Sequence, residues 1–179
     1  METVQNKLQS TYAALKDQYG YQNVMQAPTL EKVVVAVGTG KVQDKSKVQL
    51  IADRLARITG QKAAPRPARK SIASFKLREG DIIGYQVTLR GARMRDFLDK
   101  LIHVALPQTR DFRGIKPTAI DEMGNITIGI SDHTIFPETA DEELKDVFSL
   151  AVTLVTTTSS KTEAESLLRH LGVPLQARE

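Results

Sequence analysis

Apolar side chains recur every three or four positions along residues 3–19, where Val4, Leu8, Tyr12, Leu15 and Tyr19 share one face. That spacing predicts an amphipathic helix, with Gly20 as its left-handed stop. After Pro28 the pattern changes to LEKVVVAVG, a short valine-rich run closed by glycine, which predicts a mostly buried strand. A second helix is predicted from Asp44 to Thr59, with Val48, Ile51, Leu55 and Ile58 inward, Gly60 as its stop, and Lys45, Lys47, Arg54 and Arg57 largely off the apolar stripe.

Pro65 and Pro67 remove backbone donors and push their predecessors into extended geometry, so residues 62–70 read as an edge strand or extended arm with outward cations. In residues 82–90, Ile83, Tyr85, Val87 and Leu89 alternate with Gly84, Gln86, Thr88 and Arg90, giving one apolar and one polar face. A third helix over 92–105 presents Met94, Phe97, Leu98, Leu101, Ile102 and Ala105, with Pro107 as its stop. Strands follow at 126–130 and 147–157, in which Thr127, Gly129, Ser149, Ala151 and Thr153 form the small or hydroxylated side. Ser160 and Glu163 have the S-x-x-E spacing of a capping box opening a last helix, whose Ala164, Leu167, Leu168 and Leu171 pack inward before Gly172 and Pro174. One-sided strands in the order α-β-α-β-β-α-β-β-α predict an α+β fold. The expected architecture is an open, mainly antiparallel sheet with helices packed on one face. No repeat or long linker divides the sequence, so residues 1–179 read as a single domain.

Composition narrows the chemistry. With no cysteine and only His103, His133 and His170, scattered along the chain, neither a disulfide framework nor a metal centre is expected. His103 falls near the core face of its helix, where a satisfied boundary histidine is expected. No apolar run is long enough for a membrane span, and METVQNKLQS lacks the apolar stretch of a secretory signal, which predicts a cytoplasmic protein. The net charge is only +4, but Lys62 to Arg95 holds nine cations against Glu79 and Asp81. The basicity is therefore local, on a body that is otherwise slightly acidic, and this is the electrostatic pattern of a polyanion reader. Within it, Arg69, Lys70, Lys76 and Arg78 are placed to neutralise phosphates, and Phe75 is expected to anchor the arm to the core rather than stack on a base. The open sheet face with Gln86, Thr88, Arg90 and Thr153 lets a sugar-phosphate backbone approach and supplies donors to it, so that face is assigned to RNA. A basic protein–protein adaptor with non-specific RNA affinity is the alternative.

Catalytic patterns fail on spacing. Gly38-Thr39-Gly40-Lys41 lies between a strand and a helix, but Gln43 stands where a dinucleotide loop needs its third glycine, and Val42 where a Walker loop needs Ser or Thr. Neither Asp121 and Glu122 nor the acidic run 138–143 has a spacing that selects it as an acid–base pair or magnesium site. No enzyme, cofactor or metal is expected.

Six ordered motifs, 24-VMQAPTLEKVVV-35, 59-TGQK-62, 69-RKSIASFKLREG-80, 87-VTLRG-91, 107-PQTRDFRGI-115 and 135-IFPE-138, closely resemble the bacterial large-subunit ribosomal protein family that binds 5S ribosomal RNA, the "L five" family. The resemblance spans nearly the whole chain. It implies attachment of 5S RNA in the central protuberance beside other 5S-associated large-subunit proteins, contact with peptidyl-site tRNA, and a bridge to a protein of the small-subunit head. The resemblance matches Gln61, Thr88 and Arg90 to the family's RNA contacts, and with Lys62, Arg69, Gln86 and Arg93 they make the expected ribosomal-RNA-binding set. Lys70, Ser71, Lys76 and Arg78 belong to the loop facing tRNA, and Arg110 and Arg113 to the bridge. Two departures from the family pattern stand out. Ala36 stands where members often carry asparagine, and the typical D-G-R-G-N segment reads Asp121-Glu122-Met123-Gly124-Asn125, losing a cation and gaining an anion near the implied bridge.

Overall fold

The structure is a computed structural model that describes residues 3–40, 42, 44–110, 112–139 and 147–176. Among these, β1 (Leu30–Gly38), β2 (Ala64–Pro67), β3 (Ile82–Leu89), β4 (Ile126–Ile130) and β5 (Leu150–Thr156) form an open antiparallel sheet in the order β2-β3-β1-β5-β4. Burial alternates along the strands, with Val33, Val35 and Val37 of β1, and Leu150, Val152 and Leu154 of β5, on the buried side. With the helices, this is the α+β architecture that the one-sided strands predict. By contacts the chain divides into two compact units: Met1–Val33, Leu89–Ile128 and Thr153–Glu179 make the first, and Val34–Thr88 and Gly129–Val152 the second.

In the first unit, α1 (Val4–Tyr19) packs on α3 (Gly91–Lys100) and on α5 (Lys161–Leu171). Its first free N–H groups are satisfied by Thr3, which accepts from Asn6, and by Asp99 of α3, which accepts from Val4 at 2.8 Å. The buried positions are Val4, Thr11 and Leu15, while Leu8, Tyr12 and Tyr19 are half-buried. Thr11 can occupy the stripe because its hydroxyl donates to the Lys7 carbonyl at 2.9 Å. Gly20 and Gly172 close α1 and α5 in left-handed geometry.

Two expectations fail here. The third helix does not stop at Pro107. It passes through a π-helical turn (Leu101–Ala105) and continues as α4 (Leu106–Gln108), with Pro107 inside it. An α-helical register would drive the proline ring against the carbonyl four residues back, and the wider turn, in which the Leu106 N–H reaches Leu101, avoids that contact. The capping box also does not form: Ser160 caps without a side-chain bond, its hydroxyl meeting that of Thr162 at 3.0 Å, while the Glu163 carboxylate accepts from the Tyr21 hydroxyl.

In the second unit, α2 (Lys45–Thr59) opens on Asp44, which accepts from the Ser46 N–H, and closes on left-handed Gly60. It packs on the turn Pro137–Thr139, and its covered surface is wider than the predicted stripe, because Arg54 is buried beside Ile51, Leu55 and Ile58. The predicted strand over 147–157 begins only at Leu150. Phe148 is instead buried in stacking on His133, ring centres 4.1 Å apart. Residues 140–143 of the acidic run, and Lys41 and Gln43 of the glycine turn, lie outside the described residues.

Candidate nucleic-acid interface

The second unit carries most of the cationic segment. β2 pairs antiparallel with β3, Ala64 opposite Gln86, Pro65 opposite Tyr85 and Arg66 opposite Gly84, with the register shifting between Arg66 and Pro67. Two prolines in one short strand are tolerable because β2 is an edge, so their missing donors leave no neighbour unpaired. Ala63 and Ala68 are buried and pin the two ends of this arm, while Lys62, Arg66, Arg69 and Lys70 are exposed.

From Ala68 the chain runs out into a loop and returns. The loop is tied at its base by Ala68 N–H to Asp81 O (2.8 Å) and Gly80 N–H to Ala68 O (3.0 Å), and in its middle by the reciprocal pair Ile72 and Leu77. Ser71 accepts from the Glu79 N–H at 2.9 Å and Asp81 accepts from the Arg78 N–H at 2.8 Å, so both side chains brace the backbone. The structure thus gives Ser71 a bracing bond inside the loop. At the tip, Lys76 has a left-handed backbone (φ 52) after the turn Ala73–Phe75. Phe75 is 70% exposed and anchors nothing, against the expectation of an apolar foot. The bracing bonds are polar and local, so the loop holds its shape without burying the ring. Among the described residues, the side chains of Lys62, Arg69, Lys70, Lys76 and Arg78 enter no ion pair.

Gln61, Gln86 and Thr88 of this unit lie beside that arm. Gln61 is half-buried and its Nε2 donates to the Thr88 carbonyl at 3.3 Å, holding the helix-to-arm turn against β3. Gln86 and Thr88 are half-buried on β3, and Gln86 Oε1 accepts from Arg66 Nε at 2.7 Å. The sequence pattern does not single out Arg66. Its one hint is a place between two prolines on an edge, where alternation says nothing about reach. Ala36, half-buried in β1, offers no side-chain donor or acceptor in this unit.

In the first unit the cations are less free. Arg90, the residue before α3, sends Nη1 to Glu31 Oε1 at 3.3 Å, and Lys32 Nζ lies at the same distance from that oxygen. The Arg90 and Lys32 contacts hold the Glu31 carboxyl below the usual carboxylate range. Glu31 is 59 positions from Arg90 in sequence, and no local pattern points to it. Arg93 is exposed on the first turn of α3. Arg110 and Arg113 lie on either side of Asp111, which is outside the described residues, and neither is buried. Just after them Gly114 (φ 93) and Ile115 are tied to the C-terminal segment, the Ile115 N–H donating to Pro174 O and the Gln176 N–H to Ile115 O.

Of the carboxylates that invited catalytic readings, Asp121 has structural work. Asp121 accepts from the Asn125 N–H at 2.6 Å and from its amide nitrogen at 3.2 Å, closing a turn. On the outward side of β4 and β5 the Thr127 and Thr153 hydroxyls meet at 3.0 Å. His103 is half-buried with its Nε2 3.8 Å from Asp99 Oδ1, a boundary position on its own helix as expected. Among the described residues no group of His, Asp and Glu is arranged to hold a metal ion, and no helix is long and apolar enough to cross a membrane.

Residues 23–78 match the family described as "Ribosomal protein L5", and residues 82–175 match the C-terminal part of the same ribosomal family. The chain is 49% identical over 169 residues to the large ribosomal subunit protein uL5 of Rubrobacter xylanophilus, covering 94% of each. It is 48% identical over 165 residues to the protein of that name from Flavobacterium johnsoniae, covering 92% of this chain and 90% of the relative. Against the one from Heliobacterium modesticaldum the identity is 46% over 179 residues, with 99% of both chains covered.

Proposed function

Because the chain belongs to the ribosomal protein L5 family, we propose that it binds 5S ribosomal RNA and attaches it in the central protuberance of the large subunit. It is a structural constituent of the large ribosomal subunit and not an enzyme, and it acts in the ribosome, which in bacteria lies in the cytoplasm. The observation that carries the RNA reading is the state of the cations in the second unit. Lys62, Arg69, Lys70, Lys76 and Arg78 stand without ion pairs, beside the amide and hydroxyl side chains of Gln61, Gln86 and Thr88. Cations without acidic partners release condensed counterions when phosphates replace water around them. The neighbouring polar groups supply discrimination that charge alone cannot.

Within this reading Gln61, Lys62, Arg69, Gln86, Thr88, Arg90 and Arg93 face ribosomal RNA. The loop carrying Lys70, Lys76 and Arg78 reaches toward peptidyl-site tRNA, with Phe75 free to stack on an unpaired base and Ser71 holding the loop's shape. Arg110 and Arg113 serve the bridge to the small-subunit head. Family resemblance supports these finer roles, and none of these side chains is fully buried.

The test is equilibrium binding of the purified chain to 5S RNA at near-physiological salt with excess unrelated structured RNA. Tight binding that survives the competitor and weakens by about 1–3 kcal/mol in Thr88→Ala supports a specific site on β3. Binding erased by the competitor would reduce the segment to a polycationic arm and favour the adaptor.

A further inference from the structure

The pair made by Arg66 and Gln86 has a chemistry distinct from the loose cations around it. The β2–β3 register places Ala64 opposite Gln86 and Arg66 opposite Gly84, so Arg66 and Gln86 are diagonal neighbours on one face of the strand pair. Gly84 has no side chain to separate them, and an added Cβ there would lie 2.6 Å from the Val37 carbonyl oxygen of β1. Ala64 is equally unobstructive. Into this gap the Arg66 side chain extends along the strands, and its Nε donates to Gln86 Oε1 at 2.7 Å.

That bond orients both groups. A carboxamide offers an acceptor oxygen and a donor nitrogen, and here the oxygen is turned to the guanidinium, leaving the NH2 outward. Among the described residues nothing accepts from that nitrogen or from the terminal guanidinium nitrogens of Arg66. Lysine in place of Arg66 would keep the charge but lose the planar fork that bonds Gln86 through one nitrogen and presents the others.

We propose that Arg66 and Gln86 act as one donor-only recognition unit, in which Arg66 is a positioning residue for the Gln86 carboxamide and the two together grip adjacent acceptors that carry no donor of their own. This rests on the RNA-binding reading above. In RNA such acceptors occur as the non-bridging oxygens of a phosphodiester and as the O6 and N7 edge of guanine, both suited to a fork of N–H donors. An adenine or cytosine edge, which sets an amino donor next to its acceptor, matches a row of donors less well than two adjacent acceptors do.

The experiment compares the full chain with Arg66→Lys, Gln86→Met and the double variant, each binding 5S RNA and an unrelated structured RNA across a salt series. Thermal unfolding serves as the fold control. Each single variant is expected to bind about tenfold more weakly than wild type, with the salt slope of Arg66→Lys unchanged because its charge is kept. The double variant is expected to bind no more weakly than either single one, since breaking the unit once removes its function. Equal losses on both RNAs identify a phosphodiester, and a loss confined to 5S RNA identifies a guanine edge. Wild-type affinity in Gln86→Met, or fully additive losses in the double variant, overturns the unit. The general reading fails separately, through a wild-type chain that does not prefer 5S RNA, and the unit is still judged by how the variants bind whichever RNA is held. A free-protein readout is independent of RNA: the Gln86 side-chain amide signals must shift in the NMR spectrum of Arg66→Lys, and unshifted signals overturn the positioning role.

Discussion

Replacing Gly84 with alanine tests how closely β3 lies against β1 in the second unit. A Cβ at position 84 would stand 2.6 Å from the Val37 carbonyl oxygen, where ordinary contact begins at 3.4 Å, an overlap of about 0.8 Å. The obstacle is backbone in the middle of a strand, so it cannot rotate aside, and the two strands must separate locally. Overpacking of this kind costs about 1–3 kcal/mol. An opposing contribution comes from the unfolded chain, in which alanine has fewer conformations than glycine, a gain of about 0.4–1 kcal/mol. The net expectation is a loss of about 1–2 kcal/mol, at about 2–4 °C in melting temperature per kcal/mol for a chain of this size. Urea unfolding followed by circular dichroism measures the first quantity and a thermal melt the second. Gly129→Ala on β4 is the internal control. Its Cβ would meet nothing within 4 Å and its backbone is not left-handed, so the unfolded-state gain stands alone and stability is expected to rise by about 0.4–1 kcal/mol. If Gly84→Ala proved as stable as Gly129→Ala, the argument from close approach would be wrong. RNA binding should weaken with it, because Gln86 and Thr88 ride on the displaced strand.

Lys76→Gly should lower the salt slope of RNA binding by about one unit. It should also raise stability by about 0.5 kcal/mol, because glycine accepts the left-handed backbone that lysine strains to adopt; an unchanged slope would remove Lys76 from the phosphate contacts. Glu31→Gln should free Arg90 and strengthen binding to unrelated RNAs, read by fluorescence anisotropy, and no gain would mean that Glu31 does not restrain it. Since the folded Glu31 carboxyl titrates below its ordinary value, the pair is intact above the ordinary carboxylate range and is lost only as pH falls through the lowered one, so wild type should acquire the variant's behaviour in acid. Burial, and then the bond to Glu163, push the Tyr21 phenol above its ordinary value, so it should ionise late in an alkaline absorbance titration. Its contribution to stability is complete below about pH 10 and declines as pH climbs from there toward the raised value, and Tyr21→Phe should lose about 1 kcal/mol in urea unfolding at neutral pH.

Much of this architecture is written in short-range pattern. The valine alternation of β1, the three-and-four spacing of α1 and α2, and Gly20, Gly60 and Gly172 at helix ends are local signals, and each element forms where its period predicts. Departures occur where a distant partner intervenes or where the backbone finds another turn. Glu163 matches a capping-box position, yet Tyr21 takes its carboxylate. Arg54 lies off the apolar stripe but is buried on α2, which the turn Pro137–Thr139 covers. Pro107 is a helix breaker by chemistry, and a π-turn absorbs it.

Periodicity, backbone restriction and charge are properties of neighbouring residues, so the order of strands and helices, the edge character of the proline arm and the positive charge between Lys62 and Arg95 are legible along the chain. Six ordered motifs are enough to point to the family. Which of those charges are available is settled in three dimensions. Arg90 is held by Glu31 across 59 positions and Arg66 is turned to Gln86 across 20, while Phe75 stands in solvent and five neighbouring cations have no ion-pair partner among the described residues. Such pairings depend on strand register and on the close approach that Gly84 permits, and a polar side chain's partner is set by what the fold brings within about 3 Å of it rather than by its place in the chain.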